Sequence, residues 1–294
     1  QYSRKIWFLY EWLLNKKLDI PDLDKGNFVP LVDEKLQYAI KGKRSSRQRI
    51  VNNLPGTINF CPLISKTKRL ENFITTNLSK KSIAYLKGIH ADILQRASAF
   101  LLLKDSKASF TIENENPGTN RAIRWGQAIG QAGAKILTND ELLRLQQIII
   151  ESKRFTNMGF RKQQGFVGEH DRITGDPIPD HISAHLKDVT KLIDGLISTN
   201  NLLEESEFDP VLMATKIAFG FIFIHPFVDG NGRIHRYLIH HILARKQFTM
   251  QGVVFPVSAS ILDHIDDYRK VLESYSKPLL DFIRNGAKLT GTKY

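Results

Sequence analysis

Residues 210–224, "PVLMATKIAFGFIFI", place apolar side chains on nearly every face of the helix they would form, and a helix apolar all round is normally buried. The chain therefore needs a core built around this segment. Asp209-Pro210 marks its start, because proline suits the first helical position, where a backbone N–H would have no partner. Pro226 marks its end, since the residue before a proline avoids helical geometry. His225 is thus predicted at the tip of a central, rigid element. No apolar run approaches the ~20 residues needed to cross a bilayer, so a soluble chain with no membrane partner is expected.

With 294 residues and 42% hydrophobic content, there is apolar material for one large core or two modest ones. Lysines and arginines number 42 against 30 aspartates and glutamates, a formal charge of +12 that favours nucleotides, nucleic acid or acidic protein surfaces without choosing among them. Cys61 is the only cysteine, which excludes an intrachain disulfide and suits a reducing, cytoplasmic compartment. The chain opens at Gln1 without a methionine and closes abruptly at Tyr294, and is read as trimmed, with flanking parts outside it.

Helical spacing of apolar residues recurs over 6–14, then over 79–104 through Ile83, Leu86, Ile89, Ile93, Leu94, Ala97 and Leu101. It returns at 139–152 and 181–198, with Asp140 and Asp180 as candidate N-caps, and at 210–224, 232–246 and 258–275. Between these helices, 158–180 has four glycines, two prolines and short β-prone pieces, which fits a surface hairpin. The basic run 41–49, "KGKRSSRQR", reads as a solvated loop, with a phosphate-binding patch as the alternative. The first 68 residues are read as a helical and loop extension without a catalytic constellation, and 69–294 as one domain.

The chemistry concentrates in "IHPFVDGNGRIHRYLIHH", 224–241. Gly230, Asn231 and Gly232 tolerate unusual backbone geometry and leave N–H groups uncovered for an anion. A helix starting within the same residues adds its positive end. Arg233 and Arg236 share a face of that helix and can reach a polyphosphate. Asp229 beside phosphates suggests a Mg²⁺ held through one carboxylate and phosphate oxygens. A neutral His225 next to an anion site can take the proton of an incoming hydroxyl. His235, His240 and His241 lack partners at metal-ligand spacing and read as packing or surface residues.

"HPFVDGNGRIHR" matches every position of the signature HPFx[DE]GN[GK]R with a further arginine three residues on, so the chain resembles Fic-domain proteins over roughly 70–285. The resemblance implies an all-α fold, a helical bundle with a small β-hairpin flap, and transfer of AMP from ATP to a Ser, Thr or Tyr hydroxyl of a target protein, the chain itself included. It implies His225 as base, Phe227 packed under the loop, Asp229 on Mg²⁺, Gly230, Asn231 and Gly232 as anion hole, and Arg233 and Arg236 on the departing pyrophosphate. Gly232, where phosphate-transferring relatives have lysine, favours nucleotidyl transfer. Gly165, Phe166, Val167 and Gly168 fall in the implied flap, which pairs with an extended piece of the target. "SFTIEN", Ser109 to Asn114, is similar to the family's inhibitory pattern [ST]xxxE[GN], with Glu113 as the inhibitory carboxylate; Thr111 to Glu115-Asn116 fits one step along. Two other readings stand beside this one: a nucleic-acid-binding module, for which no motif is legible, and removal of AMP by the same site.

Overall fold

The computed structural model describes residues 1–150, 157–248 and 253–290. It is mostly helical, with a two-stranded hairpin and one further small sheet. Helix α1 (Tyr2–Leu14) packs against short strands β1 (Val29–Pro30), β2 (Lys43–Ser45) and β3 (Ile50–Asn52), ordered β1-β3-β2. The predicted loop 41–49 is therefore a strand and a turn. Trp7, Phe8, Val29, Val32, Ile50 and Leu54 are buried there. Asn53 is fully buried: Val32 donates to its Oδ1 at 2.9 Å, and its Nδ2 donates to Val32 O at 3.0 Å.

Helices α2 (Lys68–Thr75), α3 (Leu78–Leu86), α4 (Ala91–Thr111), α5 (Thr119–Gly130) and α6 (Asn139–Ile149) follow. The single helix expected over 79–104 is two, because the chain turns at 87–90 and His90 caps α4 through Asp92 N–H. The tail of the helix expected over 139–152 lies outside the described residues. Its cap is Thr138, whose hydroxyl accepts from Glu141 N–H at 3.1 Å, so Asp140 sits in the first turn. Strands β4 (Phe166–His170) and β5 (Pro177–Ile182) form the expected antiparallel hairpin, with Val167 opposite His181. Asp180 is a strand residue rather than a cap. The helix expected from 181 begins only at α7 (Val189–Glu204), after a 3₁₀ turn at Leu186–Asp188.

The core is α8 (Pro210–Ile224) against α9 (Asn231–Arg245), with α7 alongside. Asp209 caps α8, accepting from Val211 and Leu212 N–H at 2.9 and 3.0 Å, as the Asp-Pro start requires. Segment 55–61 lies on α7 and α8. A Cβ at Gly220 would overlap the Phe60 ring. Buried Lys216 donates to Pro55 O, and burial pushes it down to about 8. The expected helix 258–275 is divided at His264 into α10 (Val257–Asp263) and α11 (Ile265–Thr290), and α11 lies against β5. No helix among the described residues is long and apolar enough to cross a membrane.

Candidate active site

At the tip of α8, His225 adopts left-handed backbone geometry, φ 52° and ψ 61°. Few non-glycine residues do so, and this turn takes Pro226 and Phe227 out of the helix axis. Phe227 is fully buried and packs against Phe160 and Phe221, at ring distances of 5.4 and 6.1 Å. The half-buried His225 ring has Nδ1 3.4 Å from Ile222 O. Burial, and then the neighbouring His181 ring, push His225 down to about 4, so it is neutral at pH 7.

The loop is braced by Asn231. Phe227 N–H donates to Asn231 Oδ1 at 3.0 Å, and Asn231 Nδ2 donates to Phe227 O at 2.9 Å. This side chain is spent on loop geometry. Its backbone N–H opens α9, where the first N–H groups find no acceptor within the helix. Gly230, at φ 96°, supplies the turn before it.

Arg233 and Arg236 of α9 are about 1% exposed, and both are paired with carboxylates from the segment after α4. Arg236 Nη2 donates to Glu113 Oε1 and to Ser109 O, each at 2.8 Å, and its Nε to Ser109 Oγ at 3.2 Å. A Cβ at Gly232 would overlap the Glu113 carboxylate, so glycine is what admits Glu113 here. Arg233 Nη2 donates to Asp229 Oδ1 at 2.9 Å, and its Nη1 is 2.7 Å from Glu115 Oε1. Asn114, at φ 56°, turns the chain between the two glutamates. Both sequence registers are therefore occupied, one on each arginine.

His225, Gly232 and Arg236 open onto a cavity of about 340 Å³ closed on other sides by His181 of β5 and by Tyr268 and Leu272 of α11. His235, His240 and His241 are packed within the protein: His235 Nδ1 lies 2.8 Å from Ala218 O and His240 Nε2 3.1 Å from Asp105 Oδ2. Among the described residues no three or more His, Cys, Asp or Glu side chains are grouped to hold a metal.

Residues 136–243, which contain α6 to α9 and the loop, match the Fic/DOC family. The chain is similar to a protein of Nematostella vectensis named protein adenylyltransferase Fic, 25% identical over 178 residues, which is 60% of this chain and 38% of that protein. It is also similar to protein adenylyltransferase fic-1 of Caenorhabditis elegans, 28% identical over 119 residues, 40% of this chain and 21% of that protein. The chain thus spans well under half the length of these curated relatives. A Fic family protein from Desulfovibrio desulfuricans has the same fold, with a TM-score of 0.52 at 18% identity, covering 79% of this chain and 78% of that one. The arginine-holding segment 109–115 lies outside the residues matched to the Fic domain.

Two side chains of this site were not legible in the sequence. Arg161 donates its backbone N–H to Pro226 O at 2.8 Å and its Nε to His225 O at 2.9 Å, with further bonds to Gln163 O and Ala184 O. It ties the foot of the hairpin to the histidine turn. His181 bonds Ser276 Oγ and Phe223 O, each at 2.9 Å, and so joins the flap to α8 and α11. Arg161 stands in a glycine-rich stretch and His181 among prolines, where either reads as a solvated surface charge.

Proposed function

We propose that the chain is a protein adenylyltransferase that moves AMP from ATP to a Ser, Thr or Tyr hydroxyl of a target protein, and that Glu113 restrains it. The observation that carries this reading is the convergence of His225, the start of α9 and Arg236 on one cavity of about 340 Å³, a size suited to a small-molecule ligand. The names of the two curated relatives support the reaction class.

In the reaction, the target hydroxyl oxygen attacks the α-phosphorus of ATP while its proton passes to Nε2 of His225. The bond from α-phosphorus to the bridging oxygen breaks, and pyrophosphate leaves with that electron pair. Neutral His225, with Nδ1 turned toward Ile222 O, has the acceptor lone pair this step needs. The first N–H groups of α9 stabilise charge on the phosphates, and Arg233 and Arg236 receive the pyrophosphate. Asp229, whose side chain is 44% exposed at the loop, would hold a Mg²⁺ through its carboxylate. Bound there, Mg²⁺ supplies neutralisation of phosphate charge. Val167 and its neighbours on β4, exposed from Val167 to His170, are where an extended target segment would pair.

The test uses ATP labelled at the α-phosphate, or separately at the γ-phosphate, with Mg²⁺ and a lysate. Wild-type protein should label itself and targets weakly, and Glu113→Gly strongly, with the α-label only. His225→Ala in the Glu113→Gly background should lose at least about a hundredfold in transfer yet keep nucleotide binding. Transfer of the γ-label, or full transfer without His225, would exclude this function.

A further inference from the structure

We propose that Glu115 is a second latch on the site: it covers Arg233 as Glu113 covers Arg236, so each arginine meets phosphate oxygens fully only after its own glutamate withdraws. The inference rests on the phosphate-binding role proposed above for these arginines. Arg233 is about 1% exposed beneath its partners, so a solute cannot reach its guanidinium while Glu115 Oε1 stays 2.7 Å from Nη1. Removing Glu113 alone leaves that cover in place.

Glu115 is a fixed group rather than a passing surface glutamate. Its second oxygen accepts from Arg121 Nη1 at 2.6 Å. The guanidiniums of Arg121 and Arg233 both lie over the ring of Phe110, at 4.6 and 5.2 Å, and that ring is fully buried. Glu115 N–H donates to Phe110 O at 3.0 Å, and the left-handed Asn114 sets the spacing between the two carboxylates. A two-residue step after α4 thereby matches the three-residue step between the arginines on α9.

Arg233 divides one positive charge between Glu115 and Asp229. Release of Glu115 therefore leaves Arg233 on Asp229 alone, with a guanidinium face open to an incoming anion. The helix carrying the latch is itself held: Asp105 of α4 accepts from Ala259 N–H at 3.0 Å, and Ser106 Oγ donates to Ala122 O at 2.6 Å. Glu115, 31% exposed, can move as a side chain toward solvent while keeping Arg121.

The experiment titrates inorganic pyrophosphate and a β,γ-imido ATP analogue, each with Mg²⁺, into the full chain by calorimetry. Glu113→Gln and Glu115→Gln should each tighten pyrophosphate binding about tenfold, and the double variant about a hundredfold, since each removes a competing charge from one arginine. Glu115→Asp keeps the charge beside Arg121 but shortens the reach, so it should fold as wild type and still tighten binding. Phenylglyoxal gives a readout independent of nucleotide: Arg233 should be modified in the Glu115 variants and protected in wild type and in Glu113→Gln. If Glu113→Gln binds tightly while both Glu115 variants bind as wild type, or if Glu115→Gln weakens binding in the Glu113→Gln background, the second latch is wrong and the function stands. If no variant binds either ligand, both fall.

Discussion

Two arginine-bearing stretches of this chain look alike in sequence and differ in what holds them. In "KGKRSSRQR" the guanidiniums work for their own neighbourhood: Arg47 binds Glu11, Asp22 and the carbonyls of Leu18 and Ile20, and Arg44 and Arg49 lie over the Phe28 ring at 5.0 and 4.7 Å. In "GNGRIHR" the guanidiniums are buried, yet their carboxylate partners come in large part from glutamates more than a hundred residues earlier, on a turn that is partly exposed. An arginine tied to many fixed backbone acceptors is a structural strut. An arginine buried against a carboxylate that can swing away is a site waiting for a competing anion. Arg47 is therefore no support for a nucleic-acid partner, because its charge is spent inside the fold, while Lys41, Lys43 and Arg44 of the same stretch are exposed.

The largest effect that sharpens this contrast is on transfer. In the Glu113→Gly background, Arg236→Gln should reduce labelling by about a hundredfold or more, since it removes a preorganised donor from developing phosphate charge. Arg47→Gln in the same background should leave labelling unchanged and lower Tm, because Glu11 loses the hydrogen bonds that hold it well ionised. Loss of transfer by Arg47→Gln with no change in Tm would break the comparison.

A second, smaller effect separates bracing from chemistry. Asn53 and Asn231 do the same thing in the two regions: each gives a buried side-chain amide to both backbone groups of one residue, Val32 or Phe227. Each alanine substitution should cost about 3 kcal/mol in stability by orphaning those groups, read by denaturant unfolding. Only Asn231→Ala should also weaken binding of the ATP analogue, because only Phe227 sits beneath the anion loop. Equal loss of binding in both variants would mean that the regions are not functionally separate.

What was readable in advance follows the same division. Helices α8 and α9 and the loop between them were legible because an all-apolar run, an Asp-Pro start and a Gly-Asn-Gly turn are local signals. The breaks at 87–90 and His264 were not, since apolar spacing continues through both and long-range packing decides where the helix stops. Residues 181–188 keep helical spacing but lie in a strand and a 3₁₀ turn, because Phe166–His170 offers β5 a partner that sequence spacing does not register. The choice between Glu113 and Glu115 was undecidable from pattern because both carboxylates have a partner on α9. Arg161 was missed for the opposite reason: its acceptors are backbone carbonyls, which carry no sequence signal.

The smallest effect concerns acid. Burial pushes His225, His235 and His241 each down to about 4 from an ordinary 6.5, so the unfolded chain takes up protons that the folded chain cannot. Stability from these rings is complete above about pH 6.5 and is lost as pH falls toward 4. The N-terminal region has a different window. Hydrogen bonding from Arg47 holds Glu11 down at about 2 against an ordinary 4.5, so that pair contributes above pH 4.5 and is lost below it. Tm measured between pH 7.5 and 5 should therefore report the helices and not Glu11. His241, facing Arg245, Glu204 and Glu141 and packed 6.0 Å from the Tyr237 ring, should account for about 1 kcal/mol of the loss at pH 5.5. His241→Phe should flatten the Tm profile over that range by about this amount, and Arg47→Gln should leave it unchanged. A profile that stays as steep in His241→Phe would show that this ring is already protonated in the fold, and that α9 carries its buried charge on more than Arg233 and Arg236.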